Sequence, residues 1–270
     1  MQTPPGSTVN ARAPEPRELL ALATEAALTG GELLRPRFEA GHERRLASKS
    51  TPTDPVSLAD LESQRAIRSL ITERRPHDAF LAEEEGADEI GSSGLRWVVD
   101  PLDGTVNFLY GIAAWSVSVA VRDAAGTVAG VVHDPVAGET FAALRGGEPT
   151  RNGIALRSRA ADAPPLAQSL IATGFSYDAG LRAEQGEVVA RLLPRVRDIR
   201  RAGSAALDLA GTAIGRFDAY FERGVKAWDT TAGALLCACA GLVVREIPDG
   251  ILVAPPALVD ELSAAVLGGG

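Results

Sequence analysis

The chain has 270 residues, 46% of them hydrophobic, and a formal net charge of −8 at pH 7. That length is enough for one large domain or two small domains with a hydrophobic core. The acidic balance argues against a nucleic-acid partner, because no basic surplus exists to neutralise backbone phosphates. No apolar run approaches the roughly 20 residues of a membrane span, and the N-terminus lacks the apolar core of a signal peptide. We therefore expect a cytoplasmic protein with no membrane partner.

The first part of the chain predicts a tail, two helices and a loop between them. Residues 1–16 are rich in Pro, Gly, Ser and Thr, which is typical of a disordered tail. From Arg17 to Leu34 the apolar residues recur at helical spacing. Residues 41–55 are polar and predict a mobile loop, after which Ser57 and Asp60 resemble a capping box that opens a second helix.

Two patterns of elements follow. The first is a run of strands that predicts an antiparallel sheet under the helices, at Arg96–Asp100, Trp115–Arg122, Thr127–His133 and Thr140–Leu144. Beyond a break at residues 145–165, strands are predicted at Ser169–Thr173, Val196–Arg200, Phe217–Phe221, Leu242–Glu246 and Ile251–Ala254. Helices are predicted between and after them at Glu184–Leu193, Ala205–Ile214, Trp228–Cys239 and Pro256–Val266. We expect an α+β half at 17–150 and an α/β half at 151–267, together forming one functional domain.

The two cysteines argue for a reduced protein. Cys237 and Cys239 are two residues apart in a predicted helix and point to different sides of it, so a disulfide between them is not expected. This pattern fits a reducing cytoplasm.

The segment from Trp97 to Thr105 carries the strongest chemical signal. An apolar strand ends on Asp100, a rigid proline follows, and Asp103 then leads into a Gly-Thr turn. Two carboxylates at one strand end repel each other unless a cation lies between them. A turn with free N–H groups beside that cation is suited to a phosphate. The segment therefore predicts metal-assisted phosphate chemistry, although both acids also occur in ordinary turns around proline.

Three further acidic segments are candidates, at Lys49–Asp60, Glu83–Gly86 and Trp228–Gly233. Each has a purely structural interpretation. Asp60 completes a capping box, Glu83 belongs to what can be a solvated acidic loop, and Asp229 can cap the helix that it opens. Taken one at a time, these alternatives remain open.

Other phosphatase chemistries fit the sequence less well. The three histidines include no Arg-His-Gly triplet, and neither cysteine lies in a phosphate-binding loop. There is no P-loop motif and no Cys/His set with zinc spacing. The spacing Asp-x-x-Asp is one residue longer than the Asp-x-Asp of an aspartyl nucleophile. What remains is a carboxylate site suited to a hard cation such as Mg²⁺.

Taken together and in order, these segments resemble the inositol monophosphatase family. One signature of that family corresponds to Asp100-Pro101-Leu102-Asp103-Gly104-Thr105-Val106-Asn107-Phe108, and a second corresponds to Trp228-Asp229-Thr230-Thr231-Ala232-Gly233. Segments similar to its substrate-side elements are Arg201–Asp208 and Asp218–Glu222. The resemblance covers nearly all of residues 17–267. It implies a layered αβαβα sandwich with the site between two halves, and a homodimer.

The resemblance also implies the roles of individual residues. The first Mg²⁺ would be held by Glu83, Asp100 and the Leu102 carbonyl, and the second by Asp100, Asp103 and Asp229. Glu83 and Thr105 would orient the attacking water, with Asp60 positioning the Thr105 hydroxyl. The Gly104 and Thr105 N–H groups would bind phosphate, and the inositol ring would face Asp103, Ala205, Glu222 and Asp229. The Lys49 loop would be a flap over the metals that helps to retain a third ion.

These expectations predict a Mg²⁺-dependent enzyme that hydrolyses myo-inositol 1-phosphate and is inhibited by lithium. One alternative is the same chemistry on histidinol phosphate, fructose 1,6-bisphosphate or a nucleotide 3′-phosphate. The other is a non-catalytic binding or regulatory protein on the same scaffold, for which loss of a metal ligand would be the expected mark. All the expected ligands are present, which favours an enzyme.

Overall fold

The computed structural model describes residues 14–41, 58–84 and 91–268, together with the backbone of two short strands at 47–48 and 55–56. The helices of the described residues are α1 (Pro16–Ala40), α2 (Leu58–Arg74), α3 (Thr105–Tyr110), α4 (Ala179–Leu192), α5 (Ala205–Ile214), α6 (Ala227–Cys239) and α7 (Val259–Leu267). None of these helices is long and apolar enough to cross a membrane.

The strands form three sheets. The two short strands β1 (Ala47–Ser48) and β2 (Pro55–Val56) pair with each other. A seven-stranded sheet has the order β3 (Ala79–Ala82), β4 (Arg96–Asp103), β5 (Ser116–Asp123), β6 (Gly126–Asp134), β7 (Glu139–Leu144), β8 (Thr150–Arg151) and β9 (Ile154–Ala155). A five-stranded sheet has the order β11 (Asp198–Arg200), β10 (Leu170–Thr173), β12 (Ala219–Arg223), β14 (Gly250–Ala254) and β13 (Val243–Ile247).

Three apolar cores separate the layers. Successive residues of a strand point to opposite faces, so Trp97 packs toward α1 and α2, whereas Val98 packs toward α5 and α6. The core that contains Val98 also includes Tyr220 of the five-stranded sheet, so α5 and α6 lie between the two sheets. A third core joins the outer face of that sheet to α4 and α7. The layer order is thus helix, sheet, helix, sheet, helix, which confirms the predicted αβαβα sandwich.

Several predicted elements need correction. The larger sheet is not wholly antiparallel, because β3 pairs in parallel with β4. The sequence analysis missed β3, α3 and the two-residue strands β8 and β9. Helix α4 begins five residues before the predicted start, at Ala179, because the Asp178 carboxylate accepts a hydrogen bond from the Leu181 N–H (2.8 Å) and caps the helix. Helix α7 begins at Val259, not at Pro256.

Other predictions agree with the structure or lie outside it. Helix α5 has the predicted bounds, and the two cysteines are free, with their thiols on the Leu209 and Leu144 carbonyls. The pairing of β1 with β2 puts regular structure in part of the predicted 41–55 loop. The predicted tail lies outside the described residues except for 14–16. The division near residue 150 remains a prediction, and the core between the sheets draws side chains from both sides of it.

Candidate metal centre and active-site pocket

A bulge in β4 brings Asp100 and Asp103 to the same face. Asp100 pairs with Ser118 of β5 and Asp103 with Ser116, so three steps along β4 match only two along β5. In a regular strand, residues three apart would point to opposite faces. The extra residue reverses that alternation and directs both carboxylates toward the interior between the two sheets.

The third acid of the cluster comes from the second half of the chain. Asp229 lies in the first turn of α6, and its Oδ2 accepts a hydrogen bond from the Lys226 N–H (2.6 Å). Asp100, Asp103 and Asp229 each present a carboxylate oxygen within 4.8 Å of the other two. The capping interpretation of Asp229 is therefore correct for one of its oxygens, and the carboxylate also joins the acidic cluster.

Among the described residues, no lysine or arginine side chain is a principal influence on the pKa of these three acids. Burial, followed by repulsion from Glu83 and its fellow acids, raises the pKa of Asp100 well above its usual range. Burial raises the pKa of Asp103 to about 6, although hydrogen bonds from Ser204 and Ala206 oppose the shift. Burial and the charge of Asp103 likewise raise the pKa of Asp229. Oxygen ligands that resist ionisation without a cation are suited to a hard divalent ion, so the residues present fit Mg²⁺.

Glu83 lies in the same pocket but outside the group of three. It follows directly after β3 and lines the pocket with the three aspartates. Its negative charge contributes to the raised pKa values of all three. The structure therefore brings Glu83 and Asp229 to one pocket with the Asp100–Asp103 pair, as the sequence analysis required.

The buried polar group beside the cluster is a threonine–aspartate pair. The Thr105 hydroxyl lies 3.0 Å from Asp60 Oδ1 and 3.1 Å from the Leu102 carbonyl oxygen. Asp60 is fully buried in the first turn of α2. Ser57, its predicted partner in a capping box, lies outside the described residues. The contact holds the Thr105 hydroxyl at the edge of the pocket.

Gly104 connects the acid-bearing strand to α3. Its φ of 93° is in the left-handed region, and a Cβ there would lie 2.9 Å from the Ala114 carbonyl oxygen. Both the backbone conformation and the close approach therefore require glycine. Asn107 holds the next turn in place by donating to the carbonyls of Ala114 (2.6 Å) and Ala202 (2.8 Å). The turn that carries the Gly104 and Thr105 amides is thus fixed at the pocket edge.

Asp103 also joins the two halves of the molecule. Its Oδ2 accepts hydrogen bonds from the Ser204 hydroxyl (2.6 Å) and from the Ala206 N–H (2.7 Å) at the start of α5. Ala205 lies between these two donors and lines the pocket. The predicted substrate-side segment therefore contacts the metal-side strand directly.

Glu222 forms part of the opposite wall of the pocket. The Tyr220 hydroxyl donates to Glu222 Oε2 over 2.8 Å, and burial raises the pKa of Glu222 to about 7. A Cβ on Gly174 would lie 2.1 Å from the same oxygen, so glycine is needed for the carboxylate to fit. Tyr220 lies within the segment Asp218–Glu222, but the sequence does not predict its contact with Glu222.

The cluster and the wall enclose one pocket of about 580 Å³, a volume typical of small-molecule sites. Its lining includes every predicted pocket residue that the structure describes except Asp60. Asp60 does not line the pocket but contacts the hydroxyl of Thr105, which does. The sequence analysis missed the loop at 174–178, for which no motif gives a signal. Arg201 lies at this wall, with its guanidinium carbon 5.9 Å from the Phe175 ring centroid. Lys49, the predicted flap residue, lies outside the described residues.

Comparison with known proteins agrees with this architecture. A model of the inositol monophosphatase family matches residues 15–264. The inositol-1-monophosphatase of Mycobacterium leprae is 42% identical over 266 residues, which cover 91% of each chain. The Nus factor SuhB of Pasteurella multocida is 38% identical over 253 residues, or 90% of this chain and 94% of that protein. The crystal structure of extragenic suppressor protein suhB from Bartonella henselae has a TM-score of 0.85 at 33% identity, covering 94% of this chain and 100% of that one. The chain therefore belongs to the inositol monophosphatase family.

Proposed function

We propose that the protein is a Mg²⁺-dependent phosphomonoesterase that hydrolyses myo-inositol 1-phosphate to myo-inositol and phosphate. The observation that carries this proposal is the convergence of Asp100, Asp103 and Asp229, whose carboxylate oxygens lie within 4.8 Å of one another. Three carboxylates in one pocket favour the capture of divalent ions. Family membership supports phosphatase activity on a small phosphorylated substrate.

The acids divide between two Mg²⁺ ions, with a third ion possible beneath the Lys49 flap. In the proposed assignment, Glu83, Asp100 and the Leu102 carbonyl hold the first ion. Asp100, Asp103 and Asp229 hold the second. Two bound ions would lower the pKa of a water and neutralise charge on the departing alkoxide oxygen. This division is supported by the shared pocket and by the position of Glu83 beside the group of three, not within it.

The residues beside the acid cluster hold the water and the phosphate in place. Thr105, held by Asp60 at 3.0 Å, orients the attacking water together with Glu83. The Gly104 and Thr105 N–H groups bind the phosphate oxygens. Phosphoryl transfer depends mainly on positioning and on neutralising charge, and these residues supply both without a covalent enzyme intermediate.

The opposite wall binds the alcohol part of the ester. Asp103, Ala205, Glu222 and Asp229 face the ring in the proposed complex. A carboxylate such as Glu222 accepts hydrogen bonds from neighbouring hydroxyls, which favours a polyol. The bond from Tyr220 fixes one Glu222 oxygen and leaves the other available for the ring.

A direct test compares kcat/KM for myo-inositol 1-phosphate, histidinol phosphate, fructose 1,6-bisphosphate and a nucleotide 3′-phosphate under identical Mg²⁺ concentrations. We expect the inositol ester to be hydrolysed most efficiently. A preference for histidinol phosphate by more than about tenfold, or about 1.4 kcal/mol, would overturn the inositol assignment while leaving the phosphatase chemistry in place.

A second candidate is a binding role in transcription, which the similarity to the Nus factor SuhB of Pasteurella multocida favours. The intact acid cluster favours catalysis over a binding role without catalysis. The assay above separates them. If the folded chain hydrolyses none of the four esters at saturating Mg²⁺, the binding role is the better assignment.

The proposal includes a cellular setting and an assembly. We propose a homodimer in the cytoplasm that acts without nucleic acid or membrane and is inhibited by Li⁺ at a weak Mg²⁺ position. The two free thiols are consistent with a reducing compartment. Gel filtration with light scattering tests the dimer, and turnover measured against LiCl, with NaCl at equal ionic strength as the control, tests the inhibition.

A further inference from the structure

Helix α2 carries a buried polar stripe that the proposed chemistry only partly uses. Ser63 and Gln64 are adjacent and lie one turn after Asp60 on the helix face that packs against the seven-stranded sheet, and the exposed fraction of each of the three is 2% or less. Buried polar side chains destabilise a fold unless they form hydrogen bonds. Asp60 contacts Thr105, and the other two residues contact other segments.

Both residues contact the backbone of segments that bear predicted ligands. The Ser63 hydroxyl donates to the Pro101 carbonyl over 2.9 Å. The side-chain oxygen of Gln64 accepts the Glu84 N–H, also over 2.9 Å. Pro101 immediately precedes Leu102, and Glu84 immediately follows Glu83. Helix α2 therefore fixes the peptide groups next to two proposed ligands of the first ion.

Glu83 needs such support because the ladder of β3 ends before it. The last residue pair between β3 and β4 is Ala82 with Val99. Glu83 and Glu84 lie beyond that pair, so the strand pairing no longer sets their backbone direction. The hydrogen bond to Gln64 replaces the missing ladder contact at the first position past the ligand.

Two of the three acids proposed for the second ion, Asp103 and Asp229, are held in a different way, whereas Asp100 is assigned to both ions. Asp103 is bonded by Ser204 and Ala206 of the α5 segment, and Asp229 by the Lys226 N–H. None of these contacts involves α2. The two sides of the cluster are therefore fixed by two separate sets of contacts.

We propose that Gln64 and Ser63 are positioning residues for the first ion: Gln64 holds the segment of Glu83, which is assigned to that ion alone, and Ser63 holds the peptide that precedes the Leu102 carbonyl. This inference rests on the proposed two-ion function. Groups that orient metal ligands change metal affinity by about 10- to 100-fold when they are removed. Loss of the Gln64 oxygen should therefore weaken one of two binding events.

The test is calorimetric titration of Mg²⁺, without substrate, into the full-length wild type and Gln64→Met. Methionine keeps the length of the side chain and removes the acceptor. We expect one ion to bind about tenfold or more weakly in the variant and the other to bind as in the wild type. Ser63→Ala should weaken the same ion by less, and it provides the test if Gln64→Met fails to fold.

Gln185→Met is the matched control. Gln185 is also a buried glutamine whose side-chain oxygen accepts a backbone N–H, from Ser176 at 2.8 Å, but it lies on α4 behind the opposite wall. We expect it to bind both ions as the wild type does, and thermal unfolding without Mg²⁺ should show similar losses for the two Gln→Met variants.

The outcomes separate the two proposals. Unchanged binding of both ions in Gln64→Met, or equal weakening in Gln185→Met, would overturn the positioning role while the wild type still hydrolyses its ester. A wild type that binds no pair of ions and hydrolyses no ester would overturn the proposed function itself, and the positioning role with it.

Discussion

The two ends of the β3–β4 pair each hold a buried acid, but in opposite electrostatic surroundings. At the start of β3, Asp78 has a side chain that is only 1% exposed, and it forms a two-point ion pair with Arg75 through two 2.9 Å hydrogen bonds. The Trp97 indole N–H donates to the same carboxylate over 2.9 Å. At the other end of the pair, the Asp100 carboxylate accepts a hydrogen bond from the Leu102 N–H, and within the described residues the main charges that influence it are those of other acids.

The acidities of the two groups follow from this difference. Burial is the largest single influence on the pKa of Asp78, but Arg75, Ser93 and Trp97 together outweigh it and lower that pKa. Burial and neighbouring acids raise the pKa of Asp100. An acid that the fold supplies with its own cation stabilises the protein, whereas an acid left without one is prepared for a cation from solution.

The largest effect is expected for Asp103→Asn, which tests whether the acid cluster binds a catalytic cation. In the proposed mechanism the change removes a ligand of the second ion, so we expect kcat/KM to fall by about 10³-fold or more. The fold should persist, because the asparagine oxygen can still accept the bonds from Ser204 and Ala206. Steady-state kinetics and circular dichroism measure the two effects.

Asp123→Asn is the control for that variant. Asp123 is a partly exposed partner of Arg145 and ends β5, whose opposite end pairs with Asp103 through Ser116. Its change should leave kcat/KM within about twofold of the wild type. Full activity in Asp103→Asn would mean that Asp103 holds no catalytic ion.

Removing the Arg75 guanidinium, which pairs with Asp78 at the start of β3, should lower the stability of the protein without changing catalysis. In Arg75→Met, Asp78 stays buried without its ion pair, and we expect a loss of about 2 kcal/mol in the free energy of unfolding. This figure allows for the partial exposure of Arg75, whose side chain is 25% exposed. Urea unfolding measures the loss, and kcat per folded molecule should stay unchanged. A change in kcat would show that the two ends are coupled.

The pH dependence of stability should also have opposite signs at the two ends. Burial raises the pKa of Asp103 to about 6 and that of Glu222 to about 7, above the values of an unfolded chain. Without Mg²⁺, these groups contribute stability at about pH 4, and this contribution is lost as the pH rises through 6 and 7. Asp78, whose pKa is lowered, contributes stability above about pH 4 and loses it in more acidic solution.

Thermal unfolding of the wild type without Mg²⁺ should therefore show a Tm that falls by about 5 °C between pH 4.5 and pH 7.5. Asp103→Asn should reduce that fall. Added Mg²⁺ should reverse it, because the ion binds the ionised carboxylates and stabilises the folded state. A Tm that rises over this range without Mg²⁺ would contradict the raised pKa values.

The end of the β3–β4 pair that holds Asp100 was predictable from sequence, but the end that holds Asp78 was not. Asp100, Asp103 and Asp229 occur in motifs whose residue types and order are informative by themselves. Asp78 follows Pro76 and His77 in a polar linker, and its contact with Trp97 depends on the parallel pairing of β3, which a four-residue apolar run does not reveal. Pairing partners are set by the tertiary fold, so local patterns cannot supply them.

The geometry within the site shows the same limit. The sequence places Asp100 and Asp103 three residues apart, which in a regular strand would separate them. Only the bulge against Ser116 and Ser118 brings them to one face. Likewise, the sequence pattern does not distinguish Ser63 and Gln64 from other polar residues of an amphipathic helix. Their partners lie 38 and 20 residues away in sequence, so a local pattern cannot predict these contacts.

The smallest expected effect tests how far the hydrogen bonds to Asp78 are redundant. Ser93 is exposed and helps to lower the pKa of Asp78, whereas Arg75 and Trp97 donate hydrogen bonds of 2.9 Å to that carboxylate. In Ser93→Ala the carboxylate keeps its cation, so we expect a loss of only about 0.5 kcal/mol in the free energy of unfolding. Ser92→Ala, a change at the neighbouring exposed serine, is the matched control and should have no measurable effect. A loss in Ser93→Ala as large as that in Arg75→Met would mean that Asp78 depends on the whole set of its donors and not mainly on its own cation. The contrast between an acid with a built-in cation and an acid cluster without one would then have to be replaced by a contrast in the number of hydrogen bonds.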